Sequence, residues 1–60
     1  MNATMKFEVS ANSEIFGTYE AHDSQEARDL CARDAGYESE ADMVYRLEQP
    51  SELFARVVEE

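Results

Sequence analysis

The segment between Asp23 and Gly36 restricts the fold more than any other part of the chain. Ala27, Leu30, Cys31 and Ala35 recur there at spacings of three and four, which places them on one helical face. Asp23 is a good N-cap, and Glu26 three residues later completes a capping-box-like start. Acidic side chains at that end also complement the helix dipole. Gly36 stands where a C′ glycine belongs, and Tyr37 follows as the residue that can close back on Ala32. The spacing therefore predicts a helix over 24–35. A helix this short is marginal in water on its own, so the remaining residues have to cover its apolar face.

The preceding residues can do this as strands. Met5, Phe7, Val9 and Ala11 alternate with Thr4, Lys6, Glu8 and Ser10, the period of a half-buried strand. Asn12 and Ser13 are turn formers. Ile15, Gly17, Tyr19 and Ala21 then alternate with Phe16, Thr18 and Glu20, so the two runs form a hairpin with Phe16 on the otherwise polar face. After the helix, Ser39 caps a second one over 40–47, with Ala41, Val44, Tyr45 and Leu47 on its inner side. A rival reading takes 43–48 as a strand, because Met43, Tyr45 and Leu47 also alternate. Pro50 and Ser51 break the chain, and Leu53, Ala55 and Val57 alternate with Phe54, Arg56 and Val58 in a last strand. The expected fold is α+β, in the order β-β-α-α-β: a three-stranded antiparallel sheet with two helices on one face, all 60 residues forming a single domain.

A domain of this size buries only about 60% of the surface its unfolded chain exposes. The single cysteine, Cys31, excludes an intramolecular disulfide. Homodimerisation, or stabilisation by a partner, is therefore an expectation. The net charge of −9, from 14 Asp and Glu against five Lys and Arg, works against compactness. It also disfavours direct binding of nucleic acid, which needs a basic footprint. With 43% hydrophobic residues the chain is not a solvated tail. It shows no apolar run of membrane-spanning length and no signal peptide, so a cytoplasmic location and no membrane partner are expected.

The residues that carry chemistry point away from catalysis. Cys31 falls on the apolar stripe and reads as a small buried hydrophobe. His22 reads as a surface residue before the cap. Glu38, Glu40 and Asp42 invite a calcium loop, but Met43 and Gln49 occupy its sixth and twelfth positions, where Gly and Glu belong. Gly17 and Gly36 are isolated and make no phosphate loop. No enzyme, cofactor or metal site is expected. Asp29 with Arg33 and Asp42 with Arg46 have helix-pairing spacing. Glu14, Glu20, Asp34, Glu38, Glu40, Glu48, Glu59 and Glu60 remain as unpaired carboxylates, and Glu38, Glu40 and Asp42 form a dense exposed edge. Four Arg against one Lys, with abundant Asp and Glu, also fits adaptation to high salt or a GC-rich genome.

The stretches Gly17-Thr18-Tyr19-Glu20-Ala21, Glu26-Ala27 and Ala32-Arg33-Asp34-Ala35-Gly36-Tyr37 resemble a pattern in short phage and bacterial proteins, in which a hairpin enters a capped helix ending in a Gly-aromatic turn. Together with the size and acidity, this plan resembles phage-encoded anti-CRISPR proteins. The resemblance implies an inhibitor that binds a basic surface of a nucleic-acid-handling complex, such as a CRISPR effector. Glu38, Glu40 and Asp42 would supply charge; Tyr37, Tyr45 and Phe16, with Tyr19, would anchor the contact. The hairpin and helix are also similar to small antitoxin folds of the HicB type, which implies an oligomeric regulatory subunit. A salt-adapted housekeeping domain is the third reading. Self-repulsion makes a direct prediction: sodium chloride, which shortens screening to about 10 Å at 0.1 M, raises the melting temperature. Melting that is flat across salt would mean that the carboxylates are already compensated locally.

Overall fold

The computed structural model describes residues 3–58. Five elements follow one another: β1 (Met5–Ala11), β2 (Glu14–Ala21), α1 (Ser24–Asp34), α2 (Glu40–Leu47) and β3 (Phe54–Val57). The strands form an antiparallel sheet in the order β2-β1-β3, so β1 is central. The α+β class and the β-β-α-α-β order are as expected, and the segment from 40 to 47 is the helix, not the rival strand.

Local chemistry accounts for each boundary. Asn12 and Ser13 both adopt positive φ (52° and 69°), the requirement of a two-residue type I′ hairpin turn. The Asp23 carboxylate accepts from the Glu26 N–H at 2.8 Å. At the other end of α1 the Gly36 N–H donates to the Arg33 carbonyl and the Tyr37 N–H to the Ala32 carbonyl, both at 3.0 Å. These are the two bonds of a Schellman closure, with Gly36 at φ 103°. Ser39 caps α2 by accepting from the Asp42 N–H at 3.1 Å, and Glu48 ends it in the left-handed region.

The core is small. Phe7, Val9, Ala21, Ala27, Cys31 and Ala32 are buried, and Tyr19, Leu30, Leu53 and Ala55 pack around them. Half of the buried residues are alanines, which let α1 lie close across all three strands. The two helices do not share the sheet equally: α2 packs against α1 and its backbone approaches no strand. The molecule measures 35 × 27 × 15 Å, two layers in its shortest direction, and the second sheet face is open.

One strand departs from simple alternation. Val9 pairs with Gly17, but Ser10 pairs with Ile15, so Phe16 is an extra residue in β2, a β-bulge. Inserting one residue into a period of two reverses the side-chain faces beyond it. Ile15, expected inside, therefore joins Ser10 and Phe54 on the open face and is 61% exposed. Phe16, expected on the polar face, turns to the helix side beside Met43 and Leu53. The inner face of α2 also differs from expectation. Val44 faces inward as expected, but Tyr45 is 82% exposed, Leu47 is half-exposed and Ala41 faces solvent, whereas Glu40 and Met43 turn toward the body of the protein. Replacing Leu30 by Asp sets a charge where α1 meets the core. The expected result is loss of the cooperative melting transition in circular dichroism; an unchanged melt would show that α1 is not the lid of the core.

Candidate functional site

The acidic trio is pulled apart by the packing of α2. Glu40 is the first residue of α2 and docks it onto α1. Its backbone N–H donates to the Asp29 carboxylate at 2.9 Å. Its own carboxylate accepts from the Gln25 amide at 2.9 Å, the Arg28 guanidinium at 3.2 Å and the Ser51 hydroxyl at 2.6 Å. Only 14% of that side chain is exposed. Burial opposes its charge, but the Ser51, Gln25 and Arg28 donors outweigh burial and hold the Glu40 pKa below the ordinary glutamate value. Glu40 is thus a structural residue and not part of an exposed edge.

Asp42 is largely occupied as well. It accepts from the Glu38 backbone N–H at 3.0 Å and pairs with Arg46 at 3.0 Å. The Glu38 N–H, helped by Arg46, lowers the pKa of Asp42 against a smaller effect of burial. Only Glu38 presents an exposed side chain, while its carbonyl accepts from Arg33 at 3.0 Å. The expected Asp29–Arg33 pair does not form, because Asp29 is engaged by Gln25 and by the start of α2. Arg56 reaches Glu8 across the sheet, at 2.9 Å. Among the described residues no three His, Cys, Asp or Glu side chains gather into a metal-holding group.

The aromatic candidates separate in the same way. Tyr19 is half-buried, and its hydroxyl donates to Asp34 at 2.8 Å. Burial first, then the Asp34 and Cys31 contacts, push its pKa up. The neighbouring Cys31 thiol is raised by burial, which the Tyr19 hydrogen bond only partly offsets, and so it stays protonated. His22 lies before the far end of α1, beyond the roughly 10 Å of helix rise between Ser24 and Cys31, with its Nδ1 2.8 Å from Glu26. The backbone N–H and then the imidazole of His22 lower the Glu26 pKa. Tyr37 is half-buried in the Schellman turn, and Tyr45 stands free in solvent.

Phe16 is the aromatic candidate that the fold places at an apolar cleft. An apolar cleft of about 260 Å³ opens between Phe16, Cys31 and Ala32 of α1, Ala35 just past its end, Met43 of α2, and Leu53. A second cleft, of about 240 Å³, runs on from Phe16, Met43 and Leu53 past Val44 and Leu47 to the Pro50 turn. Asp34 borders the first and Glu52 the second. Met43, Leu47 and Leu53 were not singled out as site residues in the sequence. The signal that pointed to them was Gly17, since a lone glycine inside a strand marks a bulge, and the bulge turns Phe16 toward them.

Compared with known proteins, the chain matches no family model, no curated protein and no solved structure. Among the described residues no helix is long and apolar enough to cross a membrane.

Glu40 generates a test with a defined sign. Its folded-state pKa is depressed, so its stabilisation is complete above the ordinary value of 4.5 and is lost as pH falls through the lower folded-state value. Glu40→Gln should cost about 1–2 kcal/mol at neutral pH. The gap in melting temperature between wild type and variant should then shrink as the pH is taken below the ordinary glutamate range. A variant that melts with wild type at pH 7 would place Glu40 back on the solvated surface.

Proposed function

We propose that the protein is a small acidic interaction protein of the inhibitor type, acting in the cytoplasm of a bacterial or phage-infected cell. In this reading it binds a basic surface of a nucleic-acid-handling complex, with an RNA-guided nuclease as the concrete case, and blocks access to it. The observation that carries the reading is the mismatch between a small core and a hydrophobic surface on a chain of charge −9. Met5, Ile15, Phe16, Tyr45, Leu47, Phe54 and Val57 are all exposed, whereas among the described residues Phe7 is the only aromatic side chain that is buried. Of these, Phe16 and Leu47 line one cleft, and Ile15 and Phe54 flank Ser10 on the open sheet face; clustered apolar residues of this kind mark interaction surfaces.

The charges support the same reading. All four arginines donate within the molecule: Arg28 to Glu40, Arg33 to the Glu38 carbonyl, Arg46 to Asp42 and Arg56 to Glu8. Among the described residues no donor holds the carboxylates of Glu14, Glu38 or Glu48. Glu59 and Glu60 lie outside the described residues. The field around the molecule is therefore negative, and it would speed encounter with a basic surface while apolar contacts hold the complex. The alternative of an oligomeric regulatory subunit draws support from Ile15 and Phe54, each 61% exposed and flanking Ser10 on the open sheet face.

Titration of the purified protein into a panel of RNA-guided nucleases and other nucleic-acid-handling complexes, each with labelled nucleic acid, tests the proposal. The expected result is release of nucleic acid from one of them, with inhibition that weakens as salt rises. Nucleic-acid occupancy unchanged across the panel would overturn the inhibitor reading, and sedimentation as a dimer would then favour the oligomeric one.

A further inference from the structure

The groove beside Phe16 has a size, a floor and a rim that together specify an occupant. Its two clefts, about 260 and 240 Å³, run on from one another through Phe16, Met43 and Leu53, so the groove is a pair of small clefts strung along one wall and not a single enclosed cavity. They suit side chains presented by a protein. The floor is apolar, and Phe16 and Leu47 on its walls are 48% and 46% exposed. Among the described residues no Lys or Arg lines either cleft.

The rim is negative and fixed in place. Asp34 accepts from the Tyr19 hydroxyl, and Glu52 from the Asn12 amide. Both donors are neutral, so they hold the carboxylates in position and leave the charges uncancelled. The bulge also interrupts the ladder of β2 where the groove opens, which disfavours strand addition at that point. An elongated apolar groove with a carboxylate at each cleft fits the mode in which an amphipathic helix with a basic flank lays its apolar face into a groove.

Resting on the reading of the protein as a binder of basic partners, we infer that this groove receives an amphipathic helical segment of the partner. Its apolar side chains enter beside Phe16, Met43 and Leu53. Its Lys and Arg residues reach Asp34 and Glu52.

The probe is a synthetic helical peptide with Leu at i, i+3, i+4 and i+7 and Lys elsewhere, added to the full chain. Two control peptides replace every Lys by Glu or every Leu by Ser. Amide chemical shifts locate binding and fluorescence anisotropy measures it. The expected result is binding of the Leu/Lys peptide with shifts centred on Phe16, Met43 and Leu53, and each control weaker by about tenfold, the scale of one interface anchor. Phe16→Ser should weaken binding by a similar factor with an unchanged amide spectrum elsewhere; should that variant unfold, Leu47→Ser reads the same wall. Asp34→Asn with Glu52→Gln should weaken binding and flatten its dependence on salt. Equal binding of all three peptides, no binding, or shifts centred on Ile15 and Phe54 would overturn the inference. So would self-association of the wild type that Phe16→Ser abolishes, because the groove would then hold a second copy. Inhibition of a nuclease that Phe16→Ser leaves intact would remove the groove and keep the inhibitor reading. Groove binding in a protein that inhibits no complex would do the reverse.

Discussion

Phe7 and Val9, on the central strand, are the residues around which the rest of the molecule is arranged. The flanking strands protect their edges, and α1 seals them from above. Because the covering residues are mainly alanines, helix and sheet come close and few side-chain atoms are enclosed. Such a core is adequate but thin. A chain of this size has little further surface to bury, so fixed polar contacts and precise caps contribute a large share of what holds the elements in place.

The attachment of α2 follows from this. Lacking a sheet to rest on, the helix is held at its first residue, where Glu40 gathers donors from α1 and from the Ser51 turn. Ser51 also accepts from the Leu53 N–H at 3.1 Å, so the same cluster leads the chain into β3. A carboxylate with several donors tolerates partial burial, because the hydrogen bonds to its charged form replace the water it loses. Much of the acidity in this part of the chain is consequently structural. The negative surface is carried elsewhere, by Glu14, Glu38 and Glu48 and by carboxylates such as Asp34 and Glu52 whose donors are neutral.

The bulge at Phe16 links the fold to the candidate surface. Without the extra residue, Ile15 would face α1 and Phe16 the solvent. With it, Phe16 becomes one wall of a groove whose other wall is α2, while Ile15 joins Phe54 on the open side of the sheet. A single inserted residue thereby makes Phe16 a wall of the acid-rimmed groove and sets Ile15 beside Phe54 on the open face, among polar neighbours such as Glu8 and Arg56.

The sequence by itself determined the elements whose signals close within a few residues. The Asp23 cap, the Gly36 closure, the Asn12–Ser13 turn and the Ser39 cap all satisfy backbone groups locally, so their chemistry is legible without knowledge of the rest. The order of elements and the antiparallel sheet followed from those boundaries and the alternation between them. Tertiary structure decided which way Phe16 and Ile15 point, because a bulge is defined only against the partner strand. It decided that Tyr45 faces water and Glu40 faces α1, because the rotation of α2 is set by Gln25, Arg28 and Ser51, none of which lies in that helix. It also decided which carboxylates of the trio are spent on structure. Competition between distant donors for one acceptor has no period and no local spacing, so it leaves no pattern along the chain.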